Sequence, residues 1–225
     1  MYPELNNSKF EELIFNYYKK NSHKYDSLIS NGNRCMFNKK TKKTITLAQL
    51  FIYEYMKKMV LNNNDNRGLL CWHSTGSGKT CLATGAMSNF KGKKIVYLTS
   101  VDAKKANPPE NFYSCAKDFF PSFKNQLDKS RTKNNKSIDS IFYKNNIHFH
   151  TFATLTHHLG IAKPNKKTEP NFLQDSLLII DEIHQIFKPL PNQKLEHDAL
   201  KIFLLDINNL KLNNTKILIL TATPG

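Results

Sequence analysis

Gly68-Leu69-Leu70-Cys71-Trp72-His73-Ser74-Thr75-Gly76-Ser77-Gly78-Lys79-Thr80 is a short apolar run that enters a glycine-punctuated turn and leaves it through Lys-Thr at the start of a helical pattern. These residue types at this spacing suit a phosphate-binding loop. Gly76 and Gly78 let the backbone approach a phosphate chain closely and take positive φ where the turn demands it. The N–H groups from about Thr75 to Thr80, Ser77 included, can converge as an anion nest, and the following helix adds its positive N-terminal end. Lys79 supplies a mobile cation for the outer phosphates, and the Thr80 hydroxyl is placed to ligate Mg²⁺. The full pattern asks for glycine six residues before the lysine, where this chain has His73.

A surface turn capping a helix could carry one such motif by itself. Two further stretches of the same construction argue against that. Asp181-Glu182-Ile183-His184 follows the apolar run Leu177-Leu178-Ile179-Ile180, and Thr221-Ala222-Thr223-Pro224 follows Ile217-Leu218-Ile219-Leu220. Continuous apolar runs of this length are strands buried on both faces. Ending one in two adjacent carboxylates is costly unless they serve a metal or a proton transfer. Strands alternating with helical patterns imply an α/β fold, a mostly parallel sheet with helices on both faces and right-handed crossovers.

The bulk numbers fit one such domain with an extra segment: 225 residues and 40% hydrophobic composition. No apolar run approaches the roughly 18 residues of a membrane span, and Met1-Tyr2-Pro3-Glu4-Leu5 does not open a secretory signal. The four cysteines, Cys35, Cys71, Cys81 and Cys115, show neither close pairing nor metal-ligand spacing, so a reducing compartment is the simplest setting. A net charge of +15 suits a polyanionic partner, DNA or RNA, because basic side chains that neutralise phosphates release counterions. Only Arg34, Arg67 and Arg131 among the 33 basic residues are arginine, and asparagine is abundant. That bias is also what an AT-rich genome writes into any surface, so both explanations of the charge stay open.

Upstream of the loop, residues 8–20 place Phe10, Leu13, Ile14, Tyr17 and Tyr18 at helical spacing, and residues 21–44 read as a polar, lysine-rich linker. Thr46 opens a second helical pattern that runs to about Leu61. Gln49 lies near its start, 30 residues before Lys79, with an amide able both to donate to and to accept from an adenine edge. Downstream, Thr80 to Phe90 is helical, and Lys94 to Thr99 is a buried strand. Ser100, Lys104 and Lys105 follow where a strand end meets a loop, the ligand edge of an open parallel sheet. The aromatics of residues 111–122 suit a core better than a stacking platform. Residues 124–144 read as an exposed excursion, and Ile147 to Phe152 as a strand that passes through Thr151 into a helix. His148 and His150 share a strand face, but no cysteine or carboxylate joins them as a metal site. Residues 185–194 read as a proline-containing loop, then a helix over 195–207 and a last strand over 216–220 precede the Thr221 site.

Together these residues resemble the first RecA-like domain of superfamily 2 helicases and translocases. Ser74 to Thr80 matches motif I, Asp181-Glu182-Ile183-His184 motif II and Thr221-Ala222-Thr223 motif III, with 102 residues from Lys79 to Asp181 and 40 on to Thr221. Gln49 is similar to the glutamine motif, and the region from Val96 to Lys105 to motif Ia. Thr151 to Leu155 is similar to the strand-end segment that touches a nucleic-acid backbone. His73 before Thr75-Gly76-Ser77-Gly78-Lys79-Thr80, in an Asn- and Lys-rich chain, resembles the NTPases of large cytoplasmic DNA viruses of the poxvirus and asfarvirus type.

The resemblance implies a RecA-like P-loop NTPase domain over residues 46–225 behind a small helical, lysine-rich N-terminal extension over residues 1–45. It implies ATP and Mg²⁺ as cofactors, with Asp181 holding the metal opposite Thr80 and Glu182 polarising the attacking water. His184 would link the γ-phosphate to Thr221 and Thr223, and Ser100, Lys104, Lys105 and Thr151 would meet the nucleic acid. It further implies a second RecA-like domain or protein partners supplying an arginine, weak hydrolysis by this chain alone, no membrane association, and a host cytoplasm or virion as its location. Two other readings stay open: a duplex translocase of restriction or remodelling type, and an ATP-gated assembly subunit of a transcription complex.

Overall fold

The structure, a computed structural model, describes residues 16, 19, 35–38, 43–46, 49, 52–53, 55–57, 68–72, 78–90, 92–100, 112, 115, 136–161, 169, 171–187, 194–206 and 214–222. The chain divides into two compact units, Met1–Asn66 and Arg67–Gly225.

In the first unit, strand β1 (Cys35–Asn38) pairs antiparallel with β2 (Lys43–Thr46), Cys35 opposite Thr46 and Asn38 opposite Lys43. This hairpin lies where the composition suggested a linker. Phe37, Thr44, Ile45 and Thr46 are good strand formers, and the lysine run around them hides that pattern. Helical backbone then appears at residues 49, 52–53 and 55–57, with Ile52, Tyr55 and Met56 buried. Helix therefore begins after Thr46 and not at it. Of the amphipathic segment expected over residues 8–20, only Asn16 and Lys19 are described, and both are helical.

The second unit holds strands β3 (Gly68–Trp72), β4 (Lys94–Thr99), β5 (Ile147–Thr151), β6 (Ser176–Asp181) and β7 (Lys216–Thr221). They form one sheet in the order β3-β7-β6-β4-β5, every neighbouring pair parallel. Helices α1 (Lys79–Ser88), α2 (Lys136–Lys144), α3 (Phe152–Leu159), α4 (His184–Phe187) and α5 (Lys194–Leu205) lie on the connections between the strands. This is the α/β architecture expected from the motifs.

Position in the sheet explains the strand sequences. Central β4 and β6 are buried along almost their whole length, which is why they read as unbroken apolar runs. Edge strand β3 alternates instead, with Leu69 and Cys71 inside and Leu70 and Trp72 62% and 65% exposed. On one face, Val96, Leu98, Leu178, Ile180 and Ile217 pack with Phe152 and Leu155 of α3, Ile186 of α4 and Leu200 of α5. On the other, Tyr97 meets Phe112 at 4.7 Å and Phe149 at 5.5 Å between ring centroids, and Phe142 of α2 closes on Phe149 at 5.5 Å. The described aromatic of the 111–122 stretch, Phe112, is thus core.

Two helices stand where irregular chain was expected. In α2, Ile138, Ile141 and Phe142 follow a three-and-four spacing that the flanking lysines and asparagines mask, and Phe142 is fully buried. Short α4 is seated by Ile186 in the core. A third difference is covalent: Cys81 of α1 and Cys115 form a disulfide, with Cα atoms 5.2 Å apart. Their separation of 34 residues is no motif spacing. The fold brings them together, because Phe112 docks on Tyr97 and Cys115 follows three residues later on helical backbone. Cys71 stays free, and burial pushes its thiol up to about 12, so it behaves as a small apolar core group. Among the described residues no helix is long and apolar enough to cross a membrane.

Candidate functional site

All five parallel strands deliver their C-terminal ends to one edge of the sheet, and the conspicuous residues gather there. Gly78 caps α1 at φ 81° and ψ 32°, a left-handed conformation open to glycine, and its carbonyl accepts the Leu82 N–H at 3.1 Å. Among the described residues no side chain caps this helix and no acidic residue occupies its first turn, so its positive end is not neutralised from within. Lys79 and Thr80 follow directly, both half-buried.

Across the edge, β6 ends at Asp181 and the chain turns sharply. Glu182 sits at φ 56°, a left-handed conformation that costs a non-glycine residue roughly 1–2 kcal/mol. Its backbone N–H still bonds to the Leu220 carbonyl at 2.8 Å, so the β6–β7 ladder holds the residue in place. The turn aims the carboxylate back over the sheet edge. Oε1 meets Lys79 Nζ at 3.1 Å, and Oε2 accepts the Ala222 N–H at 3.2 Å. His184 Nδ1 lies 3.3 Å from the same Oε2 and 3.2 Å from Thr221 Oγ1, so one ring nitrogen spans the end of β6 and the end of β7.

Asp181 is held differently. Tyr97, reaching from β4, donates its hydroxyl to Oδ2 at 2.5 Å, whereas Oδ1 is buried with no hydrogen-bond donor among the described residues. Burial pushes the Asp181 carboxyl above its ordinary range; the Tyr97 bond opposes that, the Glu182 charge adds to it, and Lys79 and the Glu182 backbone N–H oppose it. Tyr97 itself is pushed well up, first by burial and then by the Asp181 charge.

A raised carboxyl makes a sign-definite prediction. The folded chain binds this proton more tightly than the unfolded chain, so the carboxyl's contribution to stability is full below 3.8 and is lost as pH rises through the folded value. Asp181→Asn removes the buried charge and still offers Tyr97 a carbonyl acceptor. Its melting temperature without metal should exceed that of the unaltered chain at neutral pH, and the gap should close as pH falls towards the ordinary carboxylate range. Equal melting at pH 7 would show that the buried charge is not a burden.

These donors fit a small hard cation. Mg²⁺ takes oxygen ligands; Asp181 Oδ1 is a buried acceptor left without a donor among the described residues, and Thr80 brings a hydroxyl in the first turn of α1. The lysine beside them suits phosphate, and the carboxylate of Glu182 suits a proton acceptor.

The structure thus brings Lys79, Thr80, Asp181, Glu182, His184 and Thr221 to one sheet edge, with Gly78 behind them. Thr75, Gly76, Ser77, Lys104, Lys105 and Thr223 lie outside the described residues. Gln49 belongs to the first unit, where its residue is buried on helical backbone. Ser100 follows β4 directly and is half-buried. Thr151 is 8% exposed and works locally: its hydroxyl caps α3, accepting the Thr154 N–H at 3.2 Å and pairing with Thr154 Oγ1 at 2.8 Å. Sequence reasoning overlooked that cap, although Thr151-x-x-Thr154 before a helical run spells it. It also overlooked Tyr97, whose signal was a single polar tip inside the aliphatic strand Ile95-Val96-Tyr97-Leu98.

The family profile described as "Type III restriction enzyme, res subunit" matches residues 38–225. Over 183 residues the chain is 26% identical to the "Putative ATP-dependent RNA helicase" of Acanthamoeba polyphaga mimivirus, an alignment that takes in 79% of this chain and 29% of that protein. The chain therefore spans less than a third of the length of that relative.

Proposed function

The chain belongs to the ResIII family of superfamily 2 helicase domains, and from that premise we propose that it is the ATP-binding and hydrolysing motor domain of a DNA or RNA helicase or translocase. The observation that carries this reading is the meeting of Lys79 and Glu182 at 3.1 Å, which joins the start of α1 to the acidic end of β6. In this reading residues 46–225 make up the domain and residues 1–45 an extension.

Each residue then has a task. The backbone of Thr75, Gly76, Ser77, Gly78, Lys79 and Thr80 wraps the phosphates. Thr80 and Asp181 would hold Mg²⁺, which when bound would offset the charge on the phosphate oxygens. Arriving phosphate draws the Lys79 ammonium away from Glu182. The freed carboxylate, kept aimed by the Ala222 N–H, accepts a proton from water as the water oxygen bonds to the γ-phosphorus and the bridging P–O bond to the β-phosphate breaks, leaving ADP and phosphate. His184 senses the change at Glu182 and passes it to Thr221, and Thr223 continues that path to the nucleic-acid side. Ser100, Lys104, Lys105 and the Thr151 turn form the candidate track. Phosphoryl transfer in NTPases of this class draws on an arginine at the transferred group, and a second RecA-like domain or a partner would supply it.

The motor reading extends to a viral setting, in transcription or genome processing in a host cytoplasm or virion. The name of the mimivirus relative puts RNA first among tracks to test, and the restriction-enzyme family puts duplex DNA beside it. The test is fluorescence anisotropy of labelled single-stranded RNA, single-stranded DNA and duplex DNA with the chain, with and without a non-hydrolysable ATP analogue. Salt-sensitive binding that changes with nucleotide is expected for one of them. Failure to bind any nucleic acid in either state would remove the motor reading in favour of an ATP-gated assembly subunit.

A further inference from the structure

Tyr97 carries a hydroxyl where packing asks for none. The residue is 3% exposed, its ring set between Phe112 and Phe149, and a phenylalanine of the same outline would fill that space. A buried hydroxyl costs roughly 1–3 kcal/mol if it is left unpaired. This one ends on Asp181 Oδ2 at 2.5 Å. Register explains the reach: Tyr97 lies opposite Ile179, so its side chain shares a sheet face with residue 181, two positions further along β6.

We propose that Tyr97 is a positioning residue for the metal-binding carboxylate. By engaging Oδ2 it fixes the rotation of the Asp181 carboxylate and leaves Oδ1, the buried oxygen without a donor, as the atom offered to the Mg²⁺ of the nucleotide complex. Tyr97 touches neither nucleotide nor water in this role; it acts through Asp181, as outer partners of metal ligands do. The aromatic layer of Phe112, Phe142 and Phe149 anchors the ring, so a feature of the core sets the geometry of the sheet edge. The inference rests on the nucleotide-site reading given above.

The test is a titration of a fluorescent ATP analogue into the full chain, once with Mg²⁺ and once with EDTA, followed by a Mg²⁺ titration at fixed nucleotide. Tyr97→Phe should still fold, melting somewhat lower because buried Asp181 Oδ2 loses its donor, and should keep its affinity in EDTA, while its half-saturating Mg²⁺ rises about 10-fold or more. A merely structural tyrosine would not move that ratio. In an Asp181→Asn background the same Tyr97→Phe change should have no further effect on Mg²⁺ dependence. Half-saturation by Mg²⁺ equal to that of the unaltered chain would overturn the positioning role and leave the nucleotide site standing. An unaltered chain that gains no nucleotide affinity from Mg²⁺ would overturn the site itself, and the role of Tyr97 with it.

Discussion

Glu182→Gln is expected to bind Mg-ATP within a few-fold of the unaltered chain and to hydrolyse it about 10²–10⁴-fold more slowly, in the presence of the nucleic acid that stimulates best. The substitution keeps the shape and an oxygen for the Ala222 N–H, which lies 3.2 Å from Oε2, so the turn and the β7 end stay in register. What disappears is the negative charge that accepts a proton. Left-handed backbone at φ 56° indicates that the protein tolerates strain at this residue to aim its carboxylate. The measurement is phosphate release under single-turnover conditions beside equilibrium nucleotide binding. Unchanged turnover in Glu182→Gln would end the assignment of Glu182 as base and move attention to His184, whose Nδ1 lies 3.3 Å away.

Lys79→Ala should fail earlier, at binding. The ammonium stands at the start of α1, whose first turn holds no acidic residue, and each charge-assisted bond from it to a phosphate is worth about 1.5–3 kcal/mol, so nucleotide affinity should fall on the order of 10²-fold. Turnover falls with it, because the same cation offsets charge on the transferred group. A second effect follows from the ion pair seen here. Without Lys79, Glu182 keeps the Ala222 N–H and His184 but loses its cation, so the folded chain should become somewhat less stable in the absence of nucleotide. Calorimetric titration with Mg-ATP reads the first effect and a melting curve the second. Affinity equal to the unaltered chain would mean that the phosphates lie elsewhere.

The two variants separate roles that one contact unites. Lys79 and Glu182 hold each other at 3.1 Å, and in the proposed cycle phosphate competes for the lysine. Such an arrangement keeps the base occupied until a phosphate takes its cation away. Loading and activation then become one event, which suits a motor that must not hydrolyse at random.

How far the sequence alone reached depends on where each signal lay. The strands β3, β4, β6 and β7 were legible because each is a short apolar run that stops at a chemically unusual residue, and central burial makes such runs continuous. Gly78 was legible because left-handed backbone at a helix start leaves few other choices. The hairpin β1–β2 and helix α2 were not, since Phe37 and Ile45, or Ile141 and Phe142, are too few to stand out among lysines and asparagines. The Cys81–Cys115 bond was hidden for another reason: 34 residues of separation say nothing until the chain between them folds. Tyr97 belongs to the same class. Its contact with Asp181 spans 84 positions and depends on β4 lying beside β6, a register that no local pattern announces. At Thr151 the strand-end position was legible and the local use of its hydroxyl, as the cap of α3, was not.

The measurement that bears most directly on this account is a crystal structure of the chain with Mg²⁺ and a non-hydrolysable ATP analogue. The account predicts the β- and γ-phosphates on the backbone of Gly78 to Thr80, Lys79 moved from Glu182 onto phosphate, and the metal between Thr80 and Asp181 Oδ1. A nucleotide bound elsewhere, or a metal that leaves Asp181 untouched, would contradict it.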